Sequence, residues 1–254
     1  MKILICLNQD IYCIKALNNL LPFLNNHQVK LCFSDGIGKK AENMELQILQ
    51  NIEQDLSIKN IKSVAKQAEV DIDWNGFLEF EQISQNYQIL DFKKINRDGV
   101  DYLSSVWKVD LIISIRFGQI FKDPIISIPN LRIINLHSGI LPNYRGIMPT
   151  FWAMRNGDSE IGTSLHFIRD NSIDTGDIIA ITKIPVNYAM PFVSNVFRLY
   201  QAGGIEVIID VVEKLENCLP IKAISQNELS GQCFGKYFSY PNKDEMSGFE
   251  RFLT

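Results

Sequence analysis

Four short apolar runs constrain this chain more than anything else in it: KILICLN at 2–8, VKLCFS at 29–34, VDLIISIRF at 109–117 and LRIINLH at 131–137. The first, a short β-rich apolar run, has the pattern of a strand covered on both faces, as in parallel sheets; the second is a strand candidate, and the last two are strongly apolar strands. An amphipathic stretch over 11–23 separates the first two, giving a βαβ opening. Residues 37–60 are polar with scattered Leu and Ile, and read as peripheral helices with a mobile connection. Helical patterns at 76–85 and 99–107 flank an extended segment at 89–92. PTFWAMRNG, from Pro149, reads as a helix with proline near its start and Asn156–Gly157 as its stop signal. GTSLHFI and DIIAITKIPV read as strands joined by RDNSIDTG, whose Asn, Asp and Gly supply turn chemistry. A long helical region follows over 192–217, softened at Gly203–Gly204. This alternation predicts an α/β fold with a doubly wound, mostly parallel, Rossmann-like sheet over residues 1–220. A short aromatic-rich C-terminal appendage would occupy 221–254.

Bulk properties narrow the function classes. Hydrophobic residues make up 46% of the 254 and charged residues 21%, which argues against extensive disorder. A net charge of −4 is a poor match to a nucleic-acid binder, which usually carries a basic face. The five cysteines are odd in number and lack a CxxC pair, so buried free thiols in a reducing compartment are expected, with no metal site. The first apolar run ends too soon for a secretory leader, and no run reaches transmembrane length. A soluble cytoplasmic protein without membrane or nucleic-acid partners is the expectation.

Several motifs carry little. DGIGKK at 35–40 has two glycines without the third of a dinucleotide loop, and no Walker serine or threonine. It reads as a loop after the second strand. His27 lies in a polar NNHQ linker and reads as solvated, and His166 reads as a half-exposed strand residue. Asn135 and His137 differ. Residues i and i+2 of a strand share a face, and this pair sits where a parallel strand ends, the place where open α/β sheets bind ligands. The following SGILPNYRGIMP loop is shaped by two glycines and two prolines. Asp174, 37 residues after His137, sits in a turn able to fold back over the pair. An amide, an imidazole and a carboxylate suit acyl transfer to an amine, as oxyanion donor, proton acceptor and orienting anion. Spacing alone serves equally well for three unrelated polar residues near turns.

The ordered set NLHSGILPNYRG, NGD, GTSLHF and DTGDII resembles the catalytic signature of the formyltransferases that use 10-formyltetrahydrofolate. The likeness is dense over 110–185 and thinner over 1–109. It implies that Asn135, His137 and Asp174 are catalytic. It also implies a folate site made by RFGQIF, with Arg116, Phe117, Gly118 and Ile120, and by the turn carrying Asp170 and Ile173, which would cover the pterin. The loop with Ser138, Gly139, Tyr144, Arg145 and Gly146 would shape the acceptor site. One departure is visible: many members carry serine where this chain has Gly139.

Within that family, YRGIMPTFWA and the tail GKYFSYPNKDEM are most similar to the enzymes acting on nucleotide-linked amino sugars. The resemblance therefore implies an N-formyltransferase acting on a dTDP-linked 4-amino-4,6-dideoxyhexose, such as the glucose derivative, for O-antigen or other surface polysaccharide. Charged tRNA is disfavoured by the acidic chain and by the short stretch after Pro220. The alternatives are the phosphoribosylglycinamide formyltransferase of purine synthesis, which the same triad would serve, and a folate- or nucleotide-sugar-binding protein without catalysis. The tail places Phe234, Tyr237, Phe238 and Tyr240 within seven residues. They must cover the domain, a second subunit or a nucleobase. The expectation divides them between a homodimer contact and a nucleotide platform, with Tyr237 and Tyr240 binding substrate.

Overall fold

The computed structural model of the chain describes residues 1–34, 36, 43–201, 203–230, 235–249 and 252–253. Seven strands make one sheet: β1 (Lys2–Asn8), β2 (Gln28–Ser34), β3 (Gln88–Ile89), β4 (Leu111–Ile115), β5 (Arg132–His137), β7 (Glu160–Phe167) and β8 (Ile178–Pro185). Their order is β3-β2-β1-β4-β5-β7-β8. The first five pair in parallel, and β7 and β8 join antiparallel. Two further strands, β6 (Tyr144–Gly146) and β9 (Lys236–Phe238), pair in parallel with each other.

The unbroken apolar runs are explained by what covers them. In β1, Ile3, Ile5 and Leu7 enter one core while Leu4 and Cys6 enter a second, so alternate side chains are buried on opposite faces. The larger core holds α1 (Ile11–Leu20), α2 (Met44–Gln54) and α3 (Ile58–Gln67). It also takes in α4 (Phe80–Asn86), through Ile83. The smaller core lies under α5 (Ile95–Asp98), a single π-turn at Tyr102–Val106 and α6 (Asp123–Ile126). Returning to the larger core, α7 (Pro149–Arg155) begins at its proline. The long helical region is two helices, α8 (Phe192–Leu199) and α9 (Gly204–Glu216), broken at Gly203 with φ +29°. After α10 (Gln226–Ser230) and β9, the chain ends through α11 (Lys243–Met246). Phe238, Met246, Phe249, Phe252 and Leu253 sink into the same large core, so these tail residues cover the chain's own surface while Tyr237 stays exposed. Phe234 and Cys233 lie outside the described residues, as does most of DGIGKK.

Three expectations need correction. Helix α2, capped by Asn43 accepting from Leu46 N at 2.8 Å, is no peripheral element, because it walls the cavity at the carboxyl ends of the strands. His27 is not solvated: its side chain is 3% exposed, with Nδ1 3.2 Å from the Met1 amine and Nε2 3.9 Å from Glu216. Cys218 is exposed, unlike Cys6, Cys13 and Cys32.

One buried ionic knot ties β1, α1, α2 and β4 together. Asp10 caps α1 by accepting from Cys13 N at 2.9 Å, and also accepts from Asn8 Nδ2 at 3.0 Å and Arg116 Nε at 2.8 Å. Arg116 Nη2 reaches Glu53 at 3.2 Å, and its guanidinium lies 4.5 Å from the centre of the Tyr12 ring. The side chains of Asp10 and Arg116 are 0% and 14% exposed. Removing one partner of such a pair strands the other charge in a dry setting. Asp10→Ala should therefore lower unfolding free energy by about 3–5 kcal/mol in urea titrations. A loss under about 1 kcal/mol, no more than a helix cap alone, would mean that the ion pair contributes nothing net.

Candidate active site

Strand parity builds the site. On β5, Ile134 and Leu136 face the large core, which leaves Asn135 and His137 together on the opposite face, at the strand's carboxyl end. The antiparallel partner β7 sets His166 opposite Asn135 and Ser164 opposite His137. The turn after β7 then brings in Asp174, held in the left-handed region at φ +54°.

These side chains form one buried cluster. Asp174 Oδ2 accepts from Gly146 N at 2.9 Å and lies 3.5 Å from His137 Nδ1. Its Oδ1 lies 3.5 Å from both Asn135 Nδ2 and His166 Nε2. Burial alone would raise this carboxyl, but the positive charge that His137 and His166 carry when protonated, together with the Gly146 amide, holds it well below the usual carboxylate range. It stays ionised through neutral pH. His166 Nδ1 is 2.9 Å from Phe167 O, and a carbonyl only accepts, so Nδ1 carries the proton. Nε2 is then free to accept from Asn135 Nδ2 at 3.1 Å, which fixes which way the Asn135 amide points. By the same logic His137 Nε2, 2.6 Å from Tyr144 O, is a donor. That leaves Nδ1, facing Asp174, as the nitrogen able to gain a proton.

His166, expected as a half-exposed strand residue, is 1% exposed and belongs to this cluster. The signal lay in the pairing of β5 with β7: only the antiparallel register sets His166, the last residue but one of β7, beside Asn135.

The cluster opens into a cavity of about 280 Å³. Asn135, His137 and Asp174 line it, as do Arg116, Phe117, Gly118, Ile120 and Ile173 from the expected folate site. Ser138, Gly146, Tyr237 and Tyr240 line it from the expected acceptor site. Four expected site residues stand outside its wall. Asp170 caps its own turn, accepting from Ser172 N at 2.7 Å. Tyr144 donates to Asp158 at 2.7 Å and stacks on Phe238 at 5.5 Å. Arg145 donates to Gly235 O at 2.8 Å, and Gly139 lies beneath Pro149. The Arg116 side chain, expected on the folate, is committed to Asp10 and Glu53. Sequence reading missed Asn8, Gln50 and Glu53, which also line the wall. Arg116, Met148 and Asp174, three wall residues, adopt positive φ without being glycine, the kind of backbone strain that collects at functional sites.

Among the described residues, no group of His, Cys, Asp and Glu is placed to hold a metal, and no helix is long and apolar enough to cross a membrane.

A protein-family model described as "Formyl transferase" matches residues 39–209. A methionyl-tRNA formyltransferase of a Synechococcus strain is 33% identical over 107 residues, covering 42% of this chain and 33% of the relative. This chain thus matches only about a third of that curated relative's length. Among solved structures, a 4-N formyltransferase of Francisella tularensis superposes with a TM-score of 0.56 at 23% identity, covering 93% of this chain and 75% of its own. An N-formyltransferase of Helicobacter canadensis, in complex with folinic acid and dTDP-3-aminofucose, superposes with a TM-score of 0.57 at 19% identity, covering 94% and 69%.

The missing serine has a steric counterpart. A Cβ on Gly139 would fall 2.5 Å from Pro149 Cβ and 2.9 Å from both His137 Nε2 and Tyr144 O. Gly139→Ser should therefore cost about 1–3 kcal/mol of stability through overpacking and push the His137 ring off Tyr144 O. Equal thermal stability and full turnover in that variant would show that the loop has room to give.

Proposed function

This chain belongs to the formyl transferase family, and on that footing we propose that it moves a formyl group from 10-formyltetrahydrofolate to the amine of a nucleotide-linked amino sugar. The observation that carries the reading is the convergence of Asn135, His137 and Asp174 on one cavity. The folate fits the wall where Phe117, Ile120 and Ile173 lie: Ile120 is 48% exposed there, an apolar face of the kind a flat ring system covers. When bound, the folate supplies the reactive formyl carbon. Asn135 keeps one amide hydrogen on His166 and turns the other from its long 3.5 Å contact with Asp174 to the oxygen on which negative charge develops. His137 takes the amine's proton at Nδ1 as the amine nitrogen bonds to the formyl carbon, and gives it to the donor's nitrogen as the bond between that nitrogen and the formyl carbon breaks, so tetrahydrofolate leaves neutral. Asp174, already ionised, balances the imidazolium. Neither an enzyme nucleophile nor a metal is required by this set.

The amino-sugar acceptor is favoured by the shape likeness to solved sugar N-formyltransferases and to an N-formyltransferase holding folinic acid and dTDP-3-aminofucose. A dTDP-linked 4-amino-4,6-dideoxyglucose, destined for surface polysaccharide, is the form we propose, with the protein working in the cytoplasm as a homodimer. Tyr237, 46% exposed at the cavity, is placed to stack on the nucleobase. A second reading, methionyl-tRNA as acceptor, is favoured by the names of the curated relatives.

Incubation with 10-formyltetrahydrofolate and a panel of nucleotide amino sugars, glycinamide ribonucleotide and methionyl-tRNA discriminates the acceptors. Turnover confined to the sugars is expected, and turnover confined to tRNA or glycinamide ribonucleotide would refute the assignment. His137→Ala should lower kcat roughly 10²–10⁴-fold, and Asn135→Ala on the order of 10²–10³-fold. Either variant keeping more than about a tenth of wild-type kcat would remove that residue from the mechanism. In Asp174→Asn, the acid limb of the pH–rate profile should move to lower pH, because an amide no longer favours the imidazolium. An unmoved limb with a large rate loss would place Asp174 on the folate instead.

A further inference from the structure

The cavity has two chemically different ends. At one, the loops after β4 and β7 are clasped together by Asp123 and Asn171, with Asp123 N donating to Asn171 Oδ1 at 3.1 Å and Asn171 Nδ2 to Asp123 Oδ2 at 3.1 Å. Ile120 and Ile173 belong to this end, which the reading above gives to the folate. At the other, helix α2 meets the tail: Tyr240 bonds Gln50 and feels the charges of Glu53 and Arg116.

We propose that Glu53 selects the acceptor, its carboxylate accepting a hydrogen bond from a hydroxyl of the acceptor's sugar ring. This rests on the formyltransferase reading of the cavity. The carboxylate is fixed before any ligand arrives, with Oε1 accepting from Tyr12 Oη at 3.2 Å and Oε2 from Arg116 Nη2 at 3.2 Å. Two oxygens offer about four lone-pair sites, so capacity remains. The side chain is 17% exposed and lines the cavity. Burial pushes Glu53 up to about 7 against the pull of Arg116, so a further hydrogen-bond donor would favour its charged form. Charge decides the kind of donor. Among the described lining residues Arg116 is the one permanent cation, and two carboxylates, Asp10 and Glu53, already claim it. A phosphate would be repelled at this wall, whereas a neutral hydroxyl is welcomed, so the acceptor's phosphates lie towards the mouth. A buried polar group built to meet a hydroxyl rejects the analogue lacking it far more strongly than an apolar wall rejects a misfit.

The test compares wild type and Glu53→Gln by calorimetric binding of a dTDP-amino sugar and of its analogue with single ring hydroxyls removed, each in the presence of 5-formyltetrahydrofolate. Turnover of the same pair is then followed with the active donor. In wild type, one deoxy analogue should bind at least tenfold more weakly, and in Glu53→Gln that gap should shrink to threefold or less. Acceptor KM should rise about tenfold while the affinity for 5-formyltetrahydrofolate stays within twofold. A variant that keeps the wild-type gap, or that loses folate and acceptor affinity in parallel, overturns the role. If wild type formylates only a non-sugar amine, the functional reading fails instead. Glu53 is then judged by whether Glu53→Gln changes KM for that amine alone, and an unchanged KM sinks it as well.

Discussion

The carboxylate of Asp174 is the point on which the rest of the site hangs. It has been carried out of water, and a lone buried anion is costly, so its oxygens must be met by donors from several elements at once. The chain meets them with the Asn135 amide on β5 and the backbone amide of Gly146, and the imidazoles of His137 and His166 stand 3.5 Å away to add a donor when protonated. Even the backbone around it is claimed, with Gln226 Nε2 donating to both Asp174 O and Gly176 O at 2.9 Å. Because these partners come from segments far apart in sequence, the carboxylate is met only when the sheet and the acceptor loop are both in place, with Gln226 holding the backbone beside it. Folding and assembly of the reactive cluster are thus one event.

How the sheet is wound explains why the cluster lies where it does. The parallel half delivers β5 with its carboxyl end open, as doubly wound sheets do. The reversal at β7 then runs a second strand back along β5, so that polar residues of two strands share one face beside the opening. A purely parallel continuation would have carried the next strand's corresponding residues away through a long crossover.

Much of this could be read from the residues, and the gaps have physical reasons. The four apolar runs were legible because burial on both faces leaves no room for alternation. The Asn135–His137 pair was legible because strand parity is strict. His166 was not, because its importance depends on which strand lies next to it and in which direction, and an alternating pattern carries no such information. Helix α2 was misjudged as peripheral for a related reason: its polar residues Gln50, Glu53 and Gln54 face a cavity, and in sequence a wet cavity and bulk solvent look alike. The pairing of β6 with β9 joins segments ninety residues apart (Arg145 with Tyr237, for example) through three-residue strands too short to announce themselves. The resemblance set Tyr144, Arg145 and Asp170 at the ligands, but the fold commits their side chains to Asp158, Gly235 and Ser172.

The 2.6 Å contact between His137 Nε2 and Tyr144 O has a consequence for traffic. A ring free to turn can collect a proton on one side and release it on the other. This ring is moored by one nitrogen to the main chain, and Gly139 and Pro149 crowd the loop around it, so it has a single working door. Whatever enters at Nδ1 must leave at Nδ1, under the same carboxylate and into the same enclosed space. The imidazole is therefore a place where a proton waits and not a channel through which it passes to solvent, and the proton it lifts is kept within reach of the departing group.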